Sequence, residues 1–144
     1  MKVYELPEDE RIKHKREFDL VYSSGKIIFS DTKKLKAIYC FLKNQNEPGT
    51  KVAFAIYKKA GNAVWRNRVK RLLRESYRLN KLELNDFCKS NEVKLFIVFS
   101  LNSINKKKYN KIYLQNILPE VISVLLNINK TLKSQIELKK EKID

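Results

Sequence analysis

Between positions 58 and 78 the chain carries eight cations, Lys58, Lys59, Arg66, Arg68, Lys70, Arg71, Arg74 and Arg78, against one carboxylate, Glu75. Like charges three and four residues apart destabilise a helix. Solvated faces ordinarily mix signs, so a row this one-sided calls for a partner of opposite charge. Arginine prevails in it, and a guanidinium fork can hold two phosphate oxygens at once and stack on flat groups. A phosphate backbone would turn the repulsion into attraction, with counterion release adding to affinity. Glu75, isolated among cations, is expected to form an internal salt bridge.

Other chemistry is thinly represented. The only histidine, His14, sits among Lys13, Lys15 and Arg16, where contact with phosphate or solvent is the expected role. Cys40 and Cys88 are far apart and make no zinc-ligand spacing. Cys40 lies in an apolar run and reads as a small hydrophobe. Carboxylates and histidines do not cluster in sequence as a protein nuclease would require to hold metal ions or move protons. The sequence therefore offers no catalytic residue and no metal site.

The basic row needs a rigid support, and the sequence supplies one. Residues 62–81 contain neither glycine nor proline and are rich in alanine, leucine, arginine and lysine. Asn62 is placed to cap this central helix. At about 100° per residue, Trp65, Val69, Leu72, Leu73 and Ser76 share one arc, and Asn67, Lys70, Arg71, Arg74 and Arg78 lie opposite. Residues 12–24 space Ile12, Phe18, Val21 and Tyr22 as a first helix that stops at Gly25. Residues 35–42 and 52–57 read as two antiparallel strands around a turn with Asn46, Pro48 and Gly49, and 26–29 adds a short strand before them. The apolar run 93–100 reads as a central strand covered on both faces. From Lys106 onward Tyr109, Ile112, Tyr113, Ile117, Val121, Ile122, Leu125 and Leu126 recur at helical steps, with Pro119 as a kink or restart. The order α-β-β-β-α-β-α gives an α+β fold, an α/β sandwich. We expect one domain over residues 1–129 and a charged tail over 130–144.

Bulk properties narrow the partner. The 144 residues include 31 Lys and Arg against 16 Asp and Glu, so the net charge is 31 − 16 = +15, which suits a polyanion. The longest strictly apolar run, 95–99, is far short of the roughly 20 residues that span a bilayer. Residues 1–12 are acidic, with Glu5, Glu8, Asp9 and Glu10, and lack the apolar block of a secretory signal. A cytoplasmic, monomeric, RNA-binding protein with no membrane association is the expectation.

The run Lys58-Lys59-Ala60-Gly61-Asn62-Ala63-Val64-Trp65-Arg66-Asn67-Arg68-Val69-Lys70-Arg71-Leu72-Leu73-Arg74-Glu75 resembles the signature of the bacterial ribonuclease P protein family, a KK-x-GNAV entry followed by RNR-x-KR-x-x-R on a helix. Arg11-Ile12-Lys13 and Glu17-Phe18-x-x-Val21-Tyr22, with Gly25 behind, are similar to the family's first helix. The likeness covers about residues 11–99, and less distinctly the last helix to about 126. It implies a sandwich whose central helix joins parallel strands by a left-handed crossover. It further implies a protein subunit that binds ribonuclease P RNA and assists endonucleolytic removal of 5′ leaders from precursor tRNA. In that family the RNA subunit performs the hydrolysis with magnesium, and the protein holds no cofactor.

By the same resemblance, Asn62, Arg66, Asn67, Arg68, Lys70, Arg71, Arg74 and Arg78 are the candidate contacts to the RNA subunit. Phe18, Tyr22, Tyr39, Lys58, Lys59, Arg11 and Lys13 are candidates for the leader cleft between the first helix and one face of the sheet. Unstacked bases suit such aromatics, although Phe18, Tyr22 and Tyr39 could instead belong to the core. The chain departs from the pattern at Tyr57, where a small hydroxyl residue is common, and at 99–102, where the last strand ends without its usual basic residue. Residues 26–36 form a longer stretch than is typical, and the acidic start and the C-terminal extension have no family counterpart. Three rivals remain: a general or ribosomal RNA-binding protein, a stand-alone protein nuclease, and a DNA-binding helix-turn-helix protein. The last would require a second short helix beside the basic one, where strands are expected instead.

Overall fold

A computed structural model of the chain describes the backbone of residues 6–143 and the side chains of residues 6–136. Residues 1–5 of the acidic start and Asp144 lie outside the described residues. The elements are α1 (Lys15–Ser24), β1 (Lys26–Phe29), β2 (Leu35–Leu42), β3 (Gly49–Phe54), α2 (Ala63–Asn80), α3 (Leu82–Ser90), β4 (Lys94–Leu101) and α4 (Leu114–Ile143), with 3-10 turns at Glu8–Glu10 and Lys58–Ala60. The α+β class is as expected.

The four strands run in the order β1-β2-β4-β3. β4 is antiparallel to β2, with Tyr39 opposite Ile97, and parallel to β3, with Val52 opposite Ile97. The apolar run of β4 is central, as its composition requires. The expected hairpin of the second and third strands is not formed, because β4 inserts between them. The parallel pair β3–β4 needs a long crossover, which α2 and α3 provide.

Alternation along the strands sorts two cores. On one face Leu35, Ala37, Tyr39, Val52, Leu95, Ile97 and Phe99 pack under α2, α3 and α4. On the other, Cys40, Phe96 and Val98 pack with Ile12 and Val21, flanked by Phe18, Leu20 and Ile38. α1 thus covers the face opposite to α2. It is tied to β3 by Lys51 Nζ, which donates to Glu17 Oε2 at 2.9 Å. Burial raises the Glu17 pKa, but the Lys51 ammonium outweighs it and holds the carboxyl below its usual value.

Four expectations are corrected. α3 follows α2 after Lys81 alone, so a second short helix does lie beside the basic one; it buries Leu84 and Cys88 in the core. Its apolar residues Leu82, Leu84, Phe87 and Cys88 span too short a run for helical periodicity to announce it. The last helix begins at Leu114, not near Lys106, because residues 102–113 form a loop whose Ile104 and Ile112 are fully buried. The helix then passes through Pro119 and continues to Ile143, with Leu132 and Ile136 buried. The segment from 130 onward is therefore a continuation of the fold for at least two turns, not only a charged tail. The first helix also starts later than expected, since Ile12 is pulled into a bridge: its N–H donates to Val52 O at 2.9 Å along the outer edge of β3.

The start of α2 is closely packed. Asn62 Oδ1 accepts from Trp65 N at 2.9 Å, the cap expected from sequence. Trp65 Nε1 donates to Tyr109 O at 2.9 Å, and Lys106 N donates to Ala60 O at 2.7 Å. Gly61 lies in this seam, where a Cβ would stand 2.6 Å from Trp65 Cε3 and 3.0 Å from Lys106 Cβ. Gly61→Ala should therefore cost about 1–3 kcal/mol of stability by overpacking, read as a lower urea midpoint; an unchanged midpoint would show that the seam yields freely. The depressed Glu17 carboxyl contributes stability above its unfolded pKa of about 4.3, lost as pH falls through the lower folded value. Glu17→Gln should lose part of the wild-type acid sensitivity in that window, measured by pH-dependent unfolding.

Candidate nucleic-acid interface

α2 divides as its sequence predicts. Trp65, Val69, Leu73, Ser76 and Tyr77 are buried, whereas Asn67, Arg71 and Arg74 are exposed. Leu72, expected inside, is half-buried at the margin. Tyr77 is fixed by a 2.6 Å hydrogen bond with Thr50 Oγ1, and burial pushes its phenol far up. A helix gripped this firmly cannot roll to relieve repulsion among the charges on its outer face.

The candidate RNA contacts have different local duties. Lys70, Arg71 and Arg74 make no ion pair among the described residues. Glu75 does form the expected internal salt bridge, accepting from Arg78 one turn on, with Arg78 Nε 3.1 Å from Glu75 Oε2. Arg66 is half-buried, and its Nε is buried with no acceptor among the described residues. Arg68 is partly engaged: its Nε donates to Ile112 O at 2.7 Å, and its guanidinium lies 5.8 Å from the Tyr113 ring centroid. Asn62 spends its carbonyl oxygen on the cap, which leaves the amide N–H groups for a ligand.

Arg11, which sequence placed with the leader group, lies beside this set. Its Nε and Nη2 donate to Leu6 O at 3.1 and 2.8 Å. It then lines a cleft of about 470 Å³ with Arg71, Arg74 and Arg78. The strap that carries it is held by a buried ion pair, Lys81 Nζ to Glu10 at 3.0 and 3.1 Å. Charge spacing along the chain could not reveal this neighbourhood, because the bridge to Val52 creates it.

Of the second group, Phe18 and Tyr22 lie across the sheet, on α1. Phe18 and Tyr22 stack on α1 with centroids 6.5 Å apart and planes 15° from parallel. Phe18 is half-buried on the smaller core, and Tyr22 is 55% exposed. Lys58 and Lys59 are exposed at the entry to α2, and Lys13 pairs with Glu8 at 2.8 Å. Tyr39 does not belong here. It is 4% exposed, faces the α4 side of the sheet, and has its phenol raised by burial, with the neighbouring Thr131 side chain opposing. Strand alternation turns the neighbouring Cys40 toward α1 instead, a one-residue difference that reverses the face. Sequence also missed Ile27 and Phe29, which stand opposite Ile38 and Lys36 in register and are 60% and 40% exposed. Their period-two spacing was the available signal.

Among the described residues no three His, Cys, Asp or Glu side chains come together in a way that could hold a metal ion. Both thiols are buried and free, and burial pushes Cys88 up to about 12. No helix among the described residues is long and apolar enough to cross a membrane.

Comparison with known proteins places this arrangement. The sequence profile of the family described as Ribonuclease P matches residues 6–119. The ribonuclease P protein component of Clostridium novyi (strain NT) is 38% identical over 106 residues, which cover 74% of this chain and 85% of that protein. That of Geobacter sp. (strain M21) is 32% identical over 125 residues, covering 87% and 93%. In fold, the chain is similar to the Staphylococcus aureus RNase P protein, with TM-score 0.60 and 22% identity over 83% of this chain and 94% of that one. The RNase P protein from Thermotoga maritima superposes with TM-score 0.51 and 22% identity, over 85% and 96%. With the signature helix capped, its cations turned outward and the profile matching most of its length, the chain belongs to the ribonuclease P protein family.

Proposed function

We propose that this chain binds the RNA subunit of ribonuclease P through the outer face of α2 and holds the 5′ leader of precursor tRNA against α1 and the adjoining sheet face. The observation that carries the reading is the set Lys70, Arg71 and Arg74, presented on a fixed helix without carboxylate partners among the described residues. Such a row gains most from a folded polyphosphate, where each contact releases counterions. Those contacts set position and not base identity. On the opposite face, the Phe18–Tyr22 stack offers a flat surface to unstacked bases.

The division of labour follows. Phosphodiester hydrolysis belongs to the RNA subunit with magnesium bound on the RNA, and this chain holds no cofactor of its own. Its side chains supply binding and orientation: guanidinium and ammonium groups screen phosphate repulsion between RNA subunit and substrate, and the aromatic ledge registers the leader. The reading is tested by reconstitution with a bacterial ribonuclease P RNA at low magnesium, comparing cleavage of precursor tRNA with and without the chain. Protein-dependent gain is expected. No gain would favour a general or ribosomal RNA-binding protein, and cleavage in RNA-free preparations would favour a protein nuclease.

Arg71→Ala removes an exposed cation that makes no ion pair among the described residues, so it should weaken RNA-subunit binding and make the salt dependence shallower by about one phosphate contact. An unchanged slope would remove Arg71 from the interface. Arg68→Ala is a less clean probe because it also frees the Ile112 carbonyl. Tyr22→Ala should weaken binding of leader-bearing substrate about 5- to 100-fold, the range for loss of one base–aromatic stack, with leaderless tRNA unaffected. Equal losses for both substrates would assign Tyr22 another role.

A further inference from the structure

The loop 102–113 between β4 and α4 contains Lys106, Lys107, Lys108 and Lys111 and no acidic residue. Lys107, Lys108 and Lys111 are exposed, and none of the four makes an ion pair among the described residues. The loop nevertheless has a fixed shape. Ile104 and Ile112 are fully buried, Tyr109 N donates to Asn105 O at 2.9 Å, and Lys108 N donates to Asn105 Oδ1 at 3.0 Å. It is also bound to the amino end of α2 at three points, through Ala60, Trp65 and Arg68. Arg68 stands one helical step ahead of Arg71, so the loop adjoins the head of the outward basic row.

We propose that this lysine loop is a second contact with the RNA subunit, continuous with the outer face of α2 and directed at the phosphate backbone. The inference rests on the reading of α2 given above. Charge complementarity identifies the partner, since uncompensated ammonium groups held close together are relieved by a polyanion. Rigidity matters as well, because a preformed loop loses less freedom on binding than a flexible lysine tail. Attachment to α2 assigns the loop to the RNA subunit and not to the leader, whose proposed site lies on the face covered by α1. Tyr113, 48% exposed beneath the Arg68 guanidinium, adds an aromatic surface at the junction.

The test uses the full chain and three proteins: wild type, K107Q/K108Q/K111Q and K107R/K108R/K111R. These three side chains are exposed, so folding is expected to be unchanged, which thermal unfolding checks. Binding to the ribonuclease P RNA is titrated across monovalent salt. The glutamine variant should show a salt slope shallower by about two to three and affinity roughly tenfold or more weaker at moderate salt, while the arginine variant retains wild-type binding. Both variants should keep the wild-type preference for leader-bearing over leaderless substrate. Wild-type slope and affinity in the glutamine variant would overturn the proposal, as would equal loss in the arginine variant, which would trace the effect to packing. A loss confined to leader-bearing substrate would reassign the loop to the substrate and overturn it too. If wild-type protein fails to bind the RNA subunit, the reading of α2 fails first, and the two failures are thereby distinguished.

Discussion

Repulsion among the cations of α2, held in place by the burial of its opposite face, is the constraint around which the rest is arranged. A free helix with so many like charges at neighbouring positions would fray or turn. Here Trp65, Val69, Leu73 and Tyr77 lock it to the sheet and to α4. Hydrophobic burial of four such side chains, about 1.5–3 kcal/mol each, exceeds the few tenths of a kcal/mol lost at each like-charge pair. The unfavourable field is thus retained in the folded state, where a polyanion would relieve it.

The sheet keeps two surfaces apart. Residues facing one way along β2 and β4 build the core beneath α2, α3 and α4, while those facing the other way meet α1. The basic rod and the aromatic ledge therefore occupy opposite faces of one four-stranded layer. Placing β4 at the centre, parallel to β3, forces the chain out through α2 and α3 and back, which sets the basic helix on the α4 side of the sheet. Both ends of α2 are then secured from distant parts of the chain, its start by the 102–113 loop and its end by the Lys81–Glu10 pair. Removing one partner of so buried a pair leaves an uncompensated charge, which explains why the acidic strap stays in contact with so basic a surface.

Much was legible in advance because it depends on local pattern. The absence of glycine and proline over 62–81, the Asn62 cap and the separation of apolar from basic positions all follow from helical periodicity. The central place of 93–100 follows from an unbroken apolar run. The stretches that misled were those where local pattern conflicts with a distant contact. Tyr109 and Ile112 keep helical spacing, yet their carbonyls serve Trp65 and Arg68, and the segment stays a loop. Ile12 fits the first helix but is drawn onto the edge of β3.

The sequence by itself determined that a rigid, capped, one-sidedly basic helix would exist and that a polyanion would suit it, because charge and periodicity are written into neighbouring residues. Only the tertiary structure decided which side chains share a surface with that helix. Tyr39 went to the core and Cys40 to the α1 face because the pleat reverses at each residue. Arg11 and the lysine loop came to α2 through backbone hydrogen bonds to residues forty or more positions away, as in Lys106 to Ala60 and Ile12 to Val52. Such pairings depend on strand order and loop packing, which no short window of sequence contains.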